Sequence, residues 1–429
     1  MTRLLKFPKG FYWGASTSSH QVEGGNKNDW TVWEKENAER LAREARDFWE
    51  PWQKEKFPEM FDPNNYISGR ACDHYNRYEE DFDFMKDLGM NAHRLSIEWS
   101  RIEPEKGKFD EKEIEHYRKV IYALRRRGIE PFVTLWHFTV PLWVLKNGGW
   151  MNRETSADFV EYVEYVVRHL GADVRFWITQ NEPTLYSFAT NLSIKPWLDW
   201  PSVHGGYRGW FRMSRYLVIA HKRAYRVIKE ASVDHQVGIA NSRVFFDARG
   251  INPASWSFVF LARHFHNEWF FRRIRKYQDF VGINYFTHNR IRAGFRNPRR
   301  WFNRNDNKVI SDFGWELYPE GIYKVVKSAS RYRVPIYITE NGIADADDEK
   351  RAVFIKDTLA WLHKAISEGS NVMGYFHWSL LDNFEWASGF WTRFGLVEVD
   401  YKNNLRRRVR PSTYEYAKII KANAIPSLE

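Results

Sequence analysis

Residues 338–342 (ITENG) close a short apolar run that starts at Ile336. Pro335 precedes this run and Asn-Gly ends it, and such punctuation around a short apolar run predicts a buried parallel strand. The strand would deliver one carboxylate, that of Glu340, to its carboxyl end. Residues 176–183 (FWITQNEP) have the same form, since they end in Glu182 and a proline that cannot continue a strand ladder. The chain is therefore predicted to present two glutamates at the ends of two different strands.

The rest of the chain repeats one unit, a helical pattern followed by a short apolar run. Apolar residues at helical spacing fill residues 73–88 and 114–124, each shortly before a strand signal. Further helices are predicted at residues 152–170, with Asn152 as N-cap, and at 215–230, 256–274, 320–332 and 351–368. The eight predicted strands are residues 11–17, 91–99, 131–137, 176–183, 237–241, 280–286, 336–340 and 373–379. Strands and helices alternating in this way predict an α/β fold, a single closed parallel (β/α)8 barrel.

The connections that leave four of the strands are long, whereas those from a helix to the next strand are short. The long connections cover residues 18–72, 184–206, 287–319 and 380–411. Barrel enzymes build their sites from such loops, at the carboxyl ends of the strands. Because no linker or low-complexity segment interrupts the pattern, we expect one catalytic domain over residues 1–429.

A matched pair of carboxylates on this face indicates a particular chemistry. A lone glutamate at the end of an apolar strand is usually a solvated terminus. Double-displacement glycoside hydrolysis, in contrast, requires two carboxyl groups, one as nucleophile and one as acid and then base. Glu182 and Glu340 are therefore candidate catalytic residues.

The cysteine content and the lengths of the apolar runs indicate the cellular compartment. Cys72 is the only cysteine, which excludes an intrachain disulfide and is usual in a reducing compartment. The amino terminus has no signal-peptide core, and no run of about 18 apolar residues occurs. We therefore expect a cytoplasmic protein.

The net charge of +11 raises the question of an acidic partner. Basic residues are spread along the chain, and their local clusters are interpreted as solvated faces, so we expect no nucleic-acid partner. The sequence leaves open whether this basic surface meets a membrane and whether the chain forms a homo-oligomer. The clusters are residues 125–127, 272–276, 290–304 and 406–410.

Several motifs carry a family resemblance in order along the chain. They are QVEGG from Gln21, RLSIEWSRI from Arg94, TQNEP around Glu182, ITENG around Glu340, and the tail WSLLDNFEWASGFWTRFGL from Trp378 to Leu396. Together they resemble the family-one retaining β-glycosidases, of the type found in thermophilic archaea. The resemblance runs from Phe7 to Tyr416 and implies the same barrel fold.

The resemblance implies roles for the two glutamates. Glu340 would be the nucleophile that forms a glycosyl ester, and Glu182 the acid that protonates the leaving oxygen and then activates water as a base. Arg94 and Tyr285 match family positions that hold the nucleophile as an anion. Burial and repulsion from Glu340 would raise the pKa of Glu182.

The resemblance also implies a set of sugar ligands. Asn181 matches the residue that binds the 2-hydroxyl, and Trp378 the aromatic platform under the sugar ring. His93 stands where tyrosine is common in the family, and Trp136 stands at a position that varies within it. Both are predicted to lie near the sugar. The positions that match ligands of the outer hydroxyls are Gln21, His137, Glu385 and Trp386.

Family members that act on phosphorylated sugars have serine in place of Glu385, with a lysine and a tyrosine shortly after it. This chain has Glu385, with Thr392 and Phe394 downstream, so the resemblance favours an unphosphorylated sugar. We include Phe394 among the substrate-binding residues. Arg94 and Asn181 favour glucosides and galactosides over mannosides. The expected substrate is a small β-glycoside with a terminal non-reducing sugar, and an apolar rim would favour alkyl or aryl leaving groups.

Other interpretations stay open from the sequence. One is a mannosidase or fucosidase of the same fold, another a non-catalytic carbohydrate-binding barrel, and a third a basic scaffold for an acidic polymer. Glycosyl transfer to alcohols is expected as a side reaction of a retaining enzyme. No metal or cofactor is expected, because the sequence has no HExxH motif, paired cysteines or glycine-rich phosphate loop.

Overall fold

A computed structural model describes residues 4–192, 199–294, 302–303, 307 and 309–426. Part of the basic stretch 290–304 and part of the loop 184–206 lie outside the described residues. Eight parallel strands follow one another in chain order, and the eighth closes on the first. They are β1 (Tyr12–Ser16), β2 (Ala92–Ser96), β3 (Glu130–Thr134), β4 (Phe176–Asn181), β5 (Gln236–Ser242), β6 (Val281–Asn284), β7 (Ile336–Asn341) and β8 (Val372–Trp378). The predicted (β/α)8 barrel is confirmed.

Helices surround the barrel, one main helix after each strand. They are α1 (His74–Asp87), α2 (Glu111–Arg125), α3 (Thr155–Leu170), α4 (Gly206–Ala231), α5 (Trp269–Ile274), α6 (Glu320–Ala329), α7 (Arg351–Ser367) and α8 (Pro411–Ala422). A helix over Pro253–Ala262 and a π-helical turn over Arg263–Glu268 lead into α5. Shorter or additional helices occupy the loops at Ser19–Val22, Asp29–Phe48, Pro51–Lys56, Trp99–Ile102, Leu142–Lys146 and Pro183–Leu192.

Two local details differ from the sequence predictions. Asn152 does not cap α3, because its side-chain oxygen accepts the backbone N–H of Glu154 at 3.0 Å, one residue before the helix begins. In the first long loop, expected to be helical over residues 35–49, the helix already begins at Asp29. Asn28 caps it by accepting the N–H of Thr31 at 3.0 Å, and the Thr31 hydroxyl in turn accepts the N–H of Asn28.

Aromatic rings fill the amino-terminal end of the barrel. The rings of Phe132 on β3 and Phe176 on β4 stack at 4.1 Å, and Tyr337, Phe376 and Phe280 pack around them. This plug is made mainly of aromatic rings, whereas inward-facing polar side chains such as Arg94, Asn181 and Glu340 lie at the carboxyl ends of the strands. No helix among the described residues is long and apolar enough to cross a membrane.

Truncating the aromatic plug should destabilise the fold. We expect Phe132→Ala to cost about 3–5 kcal/mol, because it removes a fully buried ring and leaves a cavity among other rings. The measurement is the thermal midpoint at a fixed scan rate, with Tyr414→Ala, an exposed position on α8, as the matched control. Equal midpoints for the two variants would contradict the central role of this plug.

Candidate active site

A buried ion pair lies at the carboxyl end of the barrel. The Arg94 guanidinium of β2 donates from Nη1 to the carboxylate of Glu340 on β7. Its Nη2 donates to Asn181 Oδ1 at 2.7 Å and its Nε to Thr134 Oγ1 at 3.1 Å. Three strands therefore orient the guanidinium, which is fully buried. Arg94 lies where the sequence places it, against Glu340.

Asn284, at the end of β6, joins the two candidate glutamates. Its amide nitrogen donates to Glu182 Oε1 at 2.8 Å and to Asn181 Oδ1 at 3.0 Å. The same amide also hydrogen-bonds Glu340 and lowers the pKa of that carboxyl. Thr339 fixes the amide by donating its hydroxyl to Asn284 Oδ1 at 2.7 Å. Asn284 was not singled out from the sequence, although it lies within the predicted strand 280–286.

Tyr285 meets Glu340 through the backbone, where its N–H donates to the Glu340 carbonyl at 2.9 Å, and the expected contact of its hydroxyl with the Glu340 carboxylate is not observed. The Tyr285 hydroxyl donates to the backbone carbonyl of Tyr318 at 2.6 Å, in the loop before α6. Successive side chains at a strand end point to opposite sides, so Asn284 faces the site and Tyr285 faces outward. Phe286 follows on the side of Asn284, where its ring packs 6.0 Å from Trp315.

The two glutamates differ in their electrostatic surroundings. Burial, and then the charge of Glu340, raises the pKa of Glu182 to about 8. Burial also raises the pKa of Glu340, but Arg94 opposes that rise as both a charge and a hydrogen-bond donor. The proton of the pair is therefore held on Glu182, and the negative charge is held beside Arg94.

Glu182 has a strained backbone. Its φ of 43° lies in the left-handed region, which costs a non-glycine residue about 1–3 kcal/mol. The strain turns the chain from β4 into the helix Pro183–Leu192, while the N–H of Glu182 still donates to the Ala240 carbonyl at 2.7 Å. The turn is what directs the carboxyl group into the barrel mouth.

His137 presents a defined hydrogen-bond donor. Asn181 Oδ1 accepts from both Arg94 and Asn284, so the amide nitrogen of Asn181 is the group 3.0 Å from His137 Nε2. That nitrogen donates, and His137 Nε2 accepts, which puts the imidazole proton on Nδ1. Burial lowers the pKa of His137 well below its usual range, and Nδ1 has no partner among the described residues. A neutral N–H donor is therefore free for a ligand.

Gln21 and Glu385 form a second polar group. Gln21 Nε2 donates to Asn383 Oδ1 at 3.0 Å and to Glu385 Oε2 at 3.3 Å, while Ser18 Oγ donates to Gln21 Oε1 at 2.8 Å. Burial, and then the charge of Glu340, raises the pKa of Glu385 to about 8, although Trp378 also hydrogen-bonds that carboxyl group. Glu385 and Glu340 therefore lie close enough to share one electrostatic environment.

Three aromatic rings surround these polar groups. The Trp378 ring lies 6.1 Å from His137, nearly parallel to it, and Trp386 lies 6.0 Å from the same imidazole. Trp386 also stacks on the ring of His20 at 5.4 Å. Phe394 packs in one apolar cluster with Trp378 and Phe286, so its contacts are apolar.

His93 and Trp136 lie outside the site, contrary to the sequence prediction. His93 alternates with Arg94 along β2 and therefore faces α1, with its ring 5.5 Å from Phe82. Trp136 donates to the Thr139 carbonyl at 3.0 Å and packs among rings of the outer layer. Neither side chain forms part of the polar network around Glu340.

The structure thus brings together most of the residues that the sequence singled out. Those in one connected region are Glu182, Glu340, Arg94, Asn181, His137, Gln21, Glu385, Trp378, Trp386 and Phe394. Among the described residues, no cluster of three or more histidine, cysteine or acidic side chains is placed to hold a metal ion.

Known proteins resemble this chain along its whole length. The model of Glycosyl hydrolase family 1 matches residues 4–276 and 271–425. Beta-glucosidase A of Thermotoga maritima is 32% identical over 98% of this chain and 99% of its own length. The beta-galactosidase of Pyrococcus woesei is 28% identical over 98% of each chain. A solved beta-glycosidase from Pyrococcus horikoshii has a TM-score of 0.86 and 36% identity, covering 99% of this chain and 96% of that one. This chain belongs to glycosyl hydrolase family 1 and is a glycoside hydrolase.

Proposed function

We propose that the protein is a retaining, exo-acting β-glycosidase that removes a terminal non-reducing glucosyl or galactosyl residue. The observation that carries the proposal is a pair of buried carboxyl groups whose surroundings favour opposite protonation states. Arg94 holds Glu340 as the anion, and burial beside Glu340 raises the pKa of Glu182 to about 8. One nucleophile and one acid are then available at neutral pH without any added group.

In the first step Glu340 attacks the anomeric carbon while Glu182 gives its proton to the leaving oxygen. The glycosidic C–O bond breaks, the aglycone leaves as an alcohol, and a glycosyl ester forms on Glu340. The negative charge of Glu340 disappears with ester formation. Because that charge is one cause of the raised pKa of Glu182, the ionised form of Glu182 becomes more stable and the residue can act as a base.

In the second step Glu182 takes a proton from water as the water oxygen attacks the anomeric carbon. The ester bond breaks, Glu340 regains its charge beside Arg94, and the sugar leaves with its original configuration. An alcohol in place of water gives a new glycoside, the expected side reaction. Retention is supported by the Asn284 amide, which reaches both carboxyl groups and so fits a separation of about 5 Å better than the 6.5–9.5 Å of inverting enzymes.

Sugar recognition follows from the polar groups around this pair. Asn181 would donate its remaining amide N–H to the 2-hydroxyl, and His137 Nδ1–H would donate to the neighbouring hydroxyl. Gln21 and Glu385 would bind the outer hydroxyls, with Trp378 and Trp386 packing against the ring. The names of two relatives, a beta-glucosidase and a beta-galactosidase, support glucosyl and galactosyl substrates.

We infer an apolar aglycone side from the half-buried rings of Phe286 and Trp315, which rest on a cluster of buried rings. The rings of Phe286, Trp315 and Phe394 pack together beside Trp378, and Trp49 and Phe313 extend the same cluster. A surface of rings binds alkyl or aryl groups by burial of apolar area and offers few hydrogen bonds to a second sugar. We therefore favour alkyl and aryl β-glycosides as substrates of residues 1–429, acting as one catalytic domain.

Exogenous azide should distinguish the two glutamates. Glu340→Gly and Glu182→Ala should each reduce hydrolysis of nitrophenyl β-glucoside, by roughly 10³-fold or more for the nucleophile. Azide should restore turnover of Glu340→Gly with an α-glycosyl azide as product, and of Glu182→Ala with a β-glycosyl azide. The products are identified by NMR.

Tyr285→Phe is the matched control for this experiment, because the Tyr285 hydroxyl is bound to the Tyr318 carbonyl. Its kcat should stay within about threefold of the parent, since a lost distal hydrogen bond is worth about 1 kcal/mol or less at the site. The assigned roles are wrong if both glutamate variants keep their activity, or if azide gives the same anomer with both.

The coupling between the glutamates should be visible in a titration. Glu340→Gln removes a negative charge beside Glu182, so the pKa of Glu182 should fall from about 8 towards the usual glutamate value of about 4.3. The readout is the carboxyl ¹³C shift of labelled glutamate, with Glu113→Gln on α2 as control. In the parent, kcat/KM should decline as pH rises through about 8, because Glu182 loses the proton it donates. An unchanged titration in Glu340→Gln would refute the coupling.

Substrate ranking tests the finer part of the proposal. Nitrophenyl β-glucoside and β-galactoside should be hydrolysed faster than the β-mannoside and the 6-phospho-β-glucoside, and octyl β-glucoside faster than cellobiose. Trp315→Ala should raise KM for the octyl glucoside by about tenfold, because one aromatic contact is lost, and leave KM for methyl glucoside within twofold. Tyr122→Ala, on the outer side of α2, is the control. Preference for cellobiose would exclude the apolar aglycone site, and preference for the mannoside would reassign the sugar.

A further inference from the structure

One side of the barrel carries an excess of unpaired positive charge. We call it the basic face and define it as the exposed sides of α4 and of residues 253–276. The two segments are adjacent, since Phe211 of α4 lies 5.9 Å from Phe265 and 6.4 Å from Trp269. Ten exposed or half-buried basic side chains on this face have no carboxylate within 4.0 Å among the described residues: Arg208, Arg212, Arg215, Lys222, Arg223, Arg226, Arg272, Arg273, Arg275 and Lys276.

Acidic residues are nearly missing from the same surface. Glu230 lies at the carboxyl end of α4, and Glu268 is buried against Arg243. Elsewhere the basic clusters are largely neutralised, as for Arg126 and Arg127, which both pair with Glu79. The basic clusters were interpreted from the sequence as solvated faces. That interpretation fits residues 125–127 but does not fit the basic face.

Large apolar side chains are exposed on the basic face. Phe260 is 68% exposed, Tyr207 70%, Trp256 46% and Ile251 96%, and Leu261 lies beside Phe260. Tyr207 lies in the first turn of α4, Ile251 and Trp256 at the start of the helix Pro253–Ala262, and Phe260 and Leu261 in the last turn of that helix, ahead of α5. Since α4 and the helix Pro253–Ala262 start at the carboxyl ends of the strands, Tyr207, Ile251 and Trp256 lie towards the end of the barrel that holds the active site.

A cleft lies at the edge of this apolar group. It has a volume of about 340 Å³ between the segment 253–276 and α6, and Phe260 and Val244 contribute to its wall. The cationic side chains that line it are Arg263, Arg272, Lys324 and Arg331, while the one acid, Glu268, already pairs with Arg243 and Arg331.

We propose that the basic face docks on the surface of a membrane that contains anionic lipids. Aromatic and aliphatic side chains would enter the interfacial region, the surrounding arginines and lysines would bind phosphate groups, and the cleft would accept a lipid headgroup. Arginines and lysines reach such phosphates readily because their long apolar stems lie along the surface.

A bilayer fits these observations better than a nucleic acid does. Phe260, Leu261 and Ile251 are exposed apolar side chains that would be buried by entering the interface. Binding to bases would instead need rings spaced along a groove, with the cations following a backbone. In the docked orientation the active-site end of the barrel lies beside the membrane.

The experiment uses the full chain and sucrose-loaded vesicles of phosphatidylcholine, with or without phosphatidylglycerol. We expect cosedimentation with the anionic vesicles only, weakened by salt. Arg212→Gln with Arg215→Gln should reduce the partition coefficient roughly 25-fold, because each basic residue near the surface contributes about fivefold. Trp256→Ser with Phe260→Ser should reduce it about tenfold or more.

The matched control is Lys119→Gln with Tyr122→Ser on α2, on another side of the barrel, where Tyr122 is 67% exposed. It should bind like the parent. Hydrolysis of a nitrophenyl glycoside in solution serves as the folding check for every variant, since none of these residues lies at the site. If that activity is absent from the parent too, circular dichroism replaces it, so failure of the proposed function does not affect this test.

Three results would overturn the proposal. The first is equal partition of the parent to neutral and anionic vesicles, or to neither. The second is retention of binding in both basic-face variants. The third is evidence that something other than a membrane occupies the basic face. This would be salt-sensitive binding to a single-stranded oligonucleotide without vesicle binding. It would equally be a dimer, detected by sedimentation, that Trp256→Ser with Phe260→Ser converts to a monomer.

Discussion

The contact on which the site depends is the buried ion pair between Arg94 and Glu340. A carboxylate and a guanidinium removed from water cost several kcal/mol each, and their attraction offsets this only when the remaining donors and acceptors are satisfied. Here Thr134, Asn181 and Asn284 satisfy them. Arg94 and the three residues that satisfy the pair come from four different strands, so the charge can be held only when the barrel is closed and in register.

From this pair the roles of the other residues follow. Asn181 Oδ1 is occupied by Arg94 and Asn284, which fixes the direction of its amide and thereby the tautomer of His137. The charge of Glu340 helps raise the pKa of both Glu182 and Glu385. One anion therefore determines which neighbour carries a proton and which nitrogen of His137 can donate to a sugar.

The barrel could be read from the sequence because parallel strands buried on both faces appear as unbroken apolar runs. The same property hid the direction of single side chains, since an unbroken run does not show which residues face inward. Tyr285 and His93 were assigned from the family resemblance, and each lies one position away from an inward-facing residue. Asn284 was missed because its importance lies in contacts with β4 and β7, which no local pattern encodes.

The arrangement has a cost in stability that its chemistry requires. Glu182 and Glu385 have pKa values raised to about 8 in the folded protein, against about 4.3 in an unfolded chain. Between these values the folded state binds more protons than the unfolded one, so the contribution of both groups to stability is full below about pH 4.3 and is lost as pH rises through about 8. A site with Glu182 and Glu385 protonated and Glu340 paired with Arg94 carries no net charge at neutral pH. Deprotonating Glu182 would put a second negative charge beside Glu340 with one guanidinium for both, so the state that the fold tolerates best is also the state that is ready to donate a proton.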